Sequence, residues 1–465
     1  MQVSISNHIL IEDPTDEILS WCKTNLTLDN PDYAKKVRMG FWVGNTPKKL
    51  YLYEVIGGNL VLPYGTLKEI SPMLNGSTIT SKFIEPVSID FGEPIPLYPY
   101  QEEAVKMAKQ GLYGILQSKA GSGKTQMGIA LIKEYGRRTL WICHTLDLVK
   151  QSRDRALQYM DKDLLGTITE GKVNIGKGVT FATVQTLSKL DLSLYKDIWD
   201  VIIVDECHRV CSSPTQVSMF GKVLNSLSAR HKYGLSATVH RADGMIQATY
   251  ALLGNVVYSV PDEAIADKVM QVGIFPVGTG VKISRECLNT DGTINYAKLI
   301  NYLCECFTRN ALIRDSIVNE SDKSCLILSD RLSHLETLLN LLPPKLKDKA
   351  VMISGKMTTK KGKAEREQAI EDMRTGKKKY LFATFSLAAE GMDIPNLDRL
   401  FMTTPVKDYA RVTQSIGRIA RTCANKENPI AYDFVDDIGF LVKMYKTRCR
   451  HYRKGGCYIC EEPTE

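Results

Sequence analysis

The sequence predicts an α/β protein made of two tandem parallel-sheet domains behind a small N-terminal α+β domain. Three observations carry this expectation. From Tyr100 to about Val260, and again after about Gly292, short apolar runs alternate with helical stretches. The run Val201 to Val204 closes in Asp205-Glu206-Cys207-His208, so a buried strand would carry paired carboxylates to its mouth. Upstream, Ser118-Lys119-Ala120-Gly121-Ser122-Gly123-Lys124-Thr125 follows a strand candidate and precedes a helical one, the setting of a phosphate loop.

The chain of 465 residues is too long for one ordinary core and divides into expected segments 1–95, 96–262, 263–440 and 441–465. Its net charge of +8 is a mild excess that suits an anionic partner. Twelve cysteines are scattered without a disulfide framework, and no secretory leader or apolar run of spanning length is present. A reducing cytoplasmic setting, no membrane and a monomer are the expectations.

In the first segment, Lys49 to Leu62 alternates and is broken by Gly57-Gly58-Asn59, the pattern of a β-hairpin. Lys35, Lys36, Arg38, Lys48 and Lys49 are interleaved with Phe41, Trp42, Tyr51 and Tyr53. That mixture fits nucleic-acid recognition by charge and stacking, and equally a small core with a solvated basic face. Pro94 to Pro99 reads as a rigid connector. Strands are expected at Ile115 to Gln117, Thr139 to His144, Val179 to Thr183, Val201 to Val204 and Tyr233 to Ser236. A second series follows at Cys325 to Ser329, Val351 to Ser354, Tyr380 to Thr384 and Arg399 to Thr403. Only the first series carries a phosphate loop.

In that loop Gly121 and Gly123 let the backbone curl so that its N–H groups face phosphate oxygens. Lys124 is placed to neutralise the β- and γ-phosphates, and Thr125 to ligate Mg²⁺. Ser118 stands where the general pattern has its first glycine. Asp205 is assigned to Mg²⁺ and Glu206 to activation of water, against the alternative of a plain strand cap. His208 is either structural or a relay to Ser236-Ala237-Thr238.

In this order the residues resemble the superfamily 2 helicases of the DEAH-like kind. Ala120 to Thr125 resembles motif I, Asp205 to His208 the DEAH box, and Ser236-Ala237-Thr238 motif III. Ala383-Thr384 through Glu390-Gly391-Met392-Asp393-Ile394-Pro395 resembles motif V, and Gln414 to Arg421 motif VI. The likeness spans about residues 97 to 435. Within the superfamily, Gly234 to Gly244 and Leu97-Tyr98-Pro99-Tyr100-Gln101 look most similar to the XPB, UvsW and poxvirus transcript-release group. Tyr98 and Val239 depart from that group, which often has Arg and Pro there.

The resemblance implies two RecA-like domains, ATP with Mg²⁺, and forked, branched or duplex DNA as partner in replication, recombination or repair. RNA, or displacement of bound proteins without strand separation, stays open. Gln101 would pair with the adenine edge; its alternative is a first-turn helix residue. Ala120, Gly121, Ser122 and Gly123 would cradle phosphate. Arg418 and Arg421, three apart and so on one helix face, would act as arginine fingers. Gly391 and Asp393 would touch the ribose, and Gln414, His208, Ser236 and Thr238 would couple the sites. Thr145, Thr183, Gln185 and Thr384 would grip sugar-phosphate. The basic tail holds Cys449, His451, Cys457 and Cys460, a set whose spacing matches no common zinc pattern, so an extra phosphate contact or a solubilising tail is the better reading.

Overall fold

The computed structural model describes residues 1–119, 121–239, 244–265, 269–355, 357, 359–389, 392, 394–423 and 426–460. The chain divides into two units, residues 1–119 with 123–264 and residues 120–122 with 265–465.

The core of the first unit is an eight-stranded sheet. Its order is Lys172–Asn174, Leu165–Thr169, Val179–Thr183, Thr139–Cys143, Val201–Asp205, His231–Ser236, Tyr113–Gln117 and Val256–Ser259. All neighbours run parallel except the antiparallel edge pair at Lys172–Asn174. Val201–Asp205 is buried along its whole length, which is why its apolar run does not alternate: both faces of a parallel sheet are covered. The expected strands form within two residues of their expected ends. Leu165–Thr169, Lys172–Asn174 and Val256–Ser259 are additional; their short runs carried too little pattern to stand out.

The N-terminal segment folds around a five-stranded sheet in the order Glu54–Ile56, Asn59–Pro63, His8–Glu12, Gln2–Ile5 and Thr78–Ser81. The Gly57-Gly58 turn has positive φ at both glycines and joins the hairpin Glu54–Ile56 and Asn59–Pro63. Lys49–Tyr51 pairs instead with Thr27–Asp29. This sheet is fastened to the first α/β sheet within the same unit. A Cβ on Gly65 would stand 2.5 Å from Gly254 N and 2.6 Å from two carbonyls, so only glycine admits that backbone contact. Lys232, fully buried, donates from Nζ to Asn7 O (3.1 Å) and Leu224 O (2.7 Å) and lies 5.3 Å from the Tyr64 ring centre.

The second unit holds a seven-stranded, wholly parallel sheet. Its order is Ala350–Met352, Tyr380–Thr384, Cys325–Ser329, Arg399–Met402, Ile430–Val435, Gly273–Gly278 and Tyr458–Ile459. Residues 441–465, expected as a basic tail, fold differently over their described part. Gly439–Lys454 is a helix with Leu441, Met444, Arg448 and Tyr452 buried, and Tyr458–Ile459 adds the last strand. Arg448 explains the correction. It donates to both oxygens of Asp433 at 2.8 Å, and Tyr452 OH donates to the same carboxylate at 2.6 Å, so part of the basic run is interior ion pairing.

Candidate active site

Three adjacent strands of the first unit, Val201–Asp205, His231–Ser236 and Tyr113–Gln117, end at the same sheet edge. Their carboxyl ends deliver Asp205-Glu206, Ser236-Ala237-Thr238 and the phosphate loop, segments drawn from between positions 118 and 238 of the sequence. Ser118 N donates to Ser236 O at 3.0 Å and ties two of these ends.

Gly121 (φ 88°) and Gly123 (φ 82°) take the left-handed conformations that turn the loop into the helix Lys124–Tyr135. A Cβ at Gly123 would lie 2.4 Å from Gln101 Nε2. Gln101 is buried, and its Oε1 accepts from Tyr98 N at 3.0 Å. Gln101 is therefore both a first-turn cap and a wall of the loop. Ser118 Oγ is buried with no hydrogen-bond partner among the described residues. An orphaned hydroxyl, left-handed glycines and a helix N-terminus together suit a polyphosphate. Ala120 lies outside the described residues.

Lys124 Nζ lies 3.4 Å from Ser118 O and 3.9 Å from Glu206 Oε1. Asp205 is buried; its Oδ2 accepts from Ser152 Oγ (3.2 Å) and its Oδ1 from Glu206 N (2.9 Å). Burial, then the Glu206 charge, pushes the Asp205 carboxyl up to about 6, with Lys124 opposing. A carboxylate so desolvated gains most from a cation beside it. With Thr125 at the first turn of the helix, the donor set of hydroxyl and carboxylate suits Mg²⁺. Thr125 and Asp205 would hold the metal, which would supply positive charge to offset that of the phosphates.

Glu206 is held left-handed at φ 49°, ψ 51°, a conformation that a non-glycine residue keeps only where its surroundings impose it. Its Oε2 lies 3.2 Å from His208 Nδ1, and that nitrogen lies 3.1 Å from Ser236 Oγ. Ser236 Oγ in turn donates to Thr238 O (2.7 Å) and accepts from Thr238 N (3.2 Å). His208 Nδ1 thus stands between the Glu206 carboxylate and the Ser236 hydroxyl that is bonded to Thr238.

At the neighbouring strand ends, Thr145 caps the helix Leu146–Ala156 by accepting from Leu148 N, and Thr183 Oγ1 lies 2.9 Å from Thr186 Oγ1. Gln185 Nε2 donates to His144 O at 2.8 Å, tying the two loops together. A threonine that accepts from a helix N–H keeps its own O–H to donate, so Thr145 and Thr384, which accepts from Leu387 N at 3.4 Å, still have a proton for a phosphate. Sequence reasoning passed over Ser152, which has no motif of its own, and His144, whose pKa burial pulls down to about 3, so it stays neutral beside Arg209.

In the second unit the helix Tyr409–Ile419 ends before Arg421, which pairs antiparallel with Val269. Arg418 and Arg421 therefore do not share a helix face as their spacing implied; Met270 N takes the Ala420 carbonyl and turns the chain there. Arg418 Nε donates to Ala388 O (2.9 Å) and Nη1 to Met392 O (3.0 Å), bracing the motif V segment. Gln414 lies on that helix, while Gly391 and Asp393 lie outside the described residues. Among the described residues no three His, Cys, Asp or Glu form a metal-holding group, so Cys449, His451, Cys457 and Cys460 do not assemble into one. No helix among the described residues is long and apolar enough to cross a membrane.

The sequence matches the family described as Type III restriction enzyme, res subunit, over residues 94–241, and the Helicase conserved C-terminal domain over 303–423. The chain belongs to the superfamily 2 helicases. This helicase is 26% identical to a putative ATP-dependent RNA helicase of Acanthamoeba polyphaga mimivirus over 97% of this chain and 84% of the other. It is 25% identical to a probable helicase of Escherichia phage T5 over 98% and 95%. A DNA 3'-5' translocase of the XPB kind from Sulfurisphaera tokodaii is 30% identical over 38% of each chain. Among solved structures, S. cerevisiae Dbp5 bound to RNA and ADP BeF3 superposes with TM-score 0.56 at 18% identity, over 86% of this chain and 94% of that one. That likeness gives the fold: two RecA-like domains, as the sequence led one to expect. The chain is an ATP-hydrolysing motor of the helicase or translocase type.

Proposed function

We propose that this motor acts on DNA, remodelling forked, branched or duplex forms in replication, recombination or repair. The convergence of phosphate loop, Asp205-Glu206 and the His208–Ser236 link at one sheet edge carries the hydrolytic part of the reading. Lys124 holds the β- and γ-phosphates, Thr125 and Asp205 hold Mg²⁺, and Glu206 orients the attacking water. Gln101 meets the base beside Gly123; Arg418 and Arg421 serve charge stabilisation, and Gly391 and Asp393 serve the ribose, as the family likeness implies. Release of phosphate is read through His208 to Ser236 and Thr238, and Gln414 couples the second unit. Thr145, Thr183, Gln185 and Thr384 grip the sugar-phosphate chain without reading its sequence.

DNA is favoured by the likeness of Gly234–Gly244 and Leu97–Gln101 to the XPB and UvsW group, and by the identity to the archaeal translocase. The mimivirus relative supports RNA as the second reading, because the same hydroxyls and carboxylates serve either sugar. Steady-state ATPase rates with single-stranded, forked and duplex DNA and with RNA test the choice. Stimulation by DNA, strongest on forked or duplex forms, is expected; stimulation by RNA alone overturns the DNA reading.

A further inference from the structure

The helix Pro31–Arg38 has no buried residue, and the loop after it leaves large rings bare. Trp42 is 87% exposed, Phe41 62% and Tyr51, on the strand paired beneath, 65%. These rings are not loose. Phe41 N donates to Lys36 O (2.9 Å), Gly40 N to Val37 O (3.1 Å) and Thr46 N to Val43 O (3.0 Å). Lys36 Nζ donates to Thr46 Oγ1 at 2.6 Å and closes the loop. The Trp42 ring lies against Gly44, where a Cβ would come within 2.9 Å of it. A bare tryptophan fixed by its own loop is a presented surface rather than a frayed one.

The exposed charge around it is mostly basic, with Asp32 the acid on the same helix. Lys35, Arg38 and Lys48 are exposed beside the rings, while the nearby acid Asp29 is already paired with Lys49 at 2.8 Å. Beyond Gly44, Asn45 and Thr46 form one wall of a groove of about 760 Å³. Asn30 and Asp32 lie beside them, and Thr215 and Lys222 line it from the helix Pro214–Ser226. Lys222 Nζ donates to Ser188 O, the residue that ends the short helix carrying Gln185. The groove therefore continues from the edge already assigned to sugar-phosphate toward the exposed rings.

We infer that Trp42, with Phe41, is a stacking platform for unpaired bases of a DNA strand leaving the Thr183–Gln185 edge along this groove. The inference rests on the DNA-motor reading above and adds the element that would meet a separated strand. Rings of this kind stack on any base, and Lys35, Arg38 and Lys48 meet phosphates, so the platform is indifferent to sequence.

The test measures affinity of the full chain, by fluorescence anisotropy, for a forked DNA with oligothymidine arms and for a blunt duplex. Trp42→Ala is expected to weaken fork binding by roughly 5- to 150-fold, the equivalent of one stacked base. Trp42→Phe is expected to retain most of it, and the blunt duplex is expected to bind both variants like the unchanged chain. Trp42 touches no core, so an unaltered melting midpoint shows that the variant is folded. Arg38→Gln is expected to lower the slope of log affinity against log salt by about one. Fork binding by Trp42→Ala equal to that of the unchanged chain overturns the platform, as does an equal loss on blunt duplex. An unchanged chain that binds neither DNA sinks the motor reading itself, so the two failures are distinguishable.

Discussion

Lys124 Nζ lies 3.9 Å from Glu206 Oε1, so the two residues proposed to serve the phosphates and the attacking water stand side by side. Removing the lysine is expected to leave the fold alone, because among the described residues its amine is placed against Ser118 O and Glu206. Lys124→Ala is expected to lower kcat for ATP by about 10²–10³-fold or more with an unchanged melting midpoint. Near-normal turnover would remove the hydrolytic assignment. His208 predicts something different. Its Nδ1 lies within 3.2 Å of both Glu206 and Ser236, so the proposed role is communication more than chemistry. His208→Ala is expected to cut DNA-stimulated turnover about tenfold while sparing most of the unstimulated rate. Equal losses in both rates would make the histidine an ordinary support of Glu206.

At the scale of elements, the legible parts were those whose local pattern and tertiary role agree. Val201–Asp205 is apolar on both faces and buried on both faces, and the phosphate loop announces its own strand and helix. The C-terminal helix was misread for the opposite reason. Arg448 and Arg453 look alike in sequence, yet only Arg448 meets an interior carboxylate, and Asp433 lies on a strand that local pattern did not reveal. The arginine pair of motif VI failed similarly: spacing says nothing about a helix that stops at Ile419. Arg448→Ala leaves Asp433 buried with only the Tyr452 hydroxyl. It should destabilise the second unit by about 3–5 kcal/mol, read from chemical denaturation. A change below about 1 kcal/mol would mean that the pair is dispensable.

Across the whole molecule, the N-terminal sheet and the first α/β sheet share one unit through contacts that tolerate little change. Burial pulls the Lys232 ammonium down to about 7. Because that lies below the value near 10.4 of an unfolded lysine, the unfolded chain binds more protons between the two. Lys232 therefore makes stability rise with pH above about 7, by up to about 1.4 kcal/mol per pH unit. Denaturation of the wild-type chain and of Lys232→Met at pH 7 and 9 measures this; the variant should lose that part of the slope, and parallel slopes would rule the lysine out.

Gly273–Gly278 is among the first strands of the second unit to be synthesised, yet its partners are Ile430–Val435 and Tyr458–Ile459. At 5–20 residues per second, a ribosome would need about 10–40 s to travel from the first of these to the last. Ile274 and its neighbours have an open edge on each side until Ile430–Val435 is made, and on one side until Tyr458–Ile459 follows. The nascent second unit is thus a natural client for chaperones, and a stop codon shortly before Tyr458 would leave the vulnerable edge permanently unpaired.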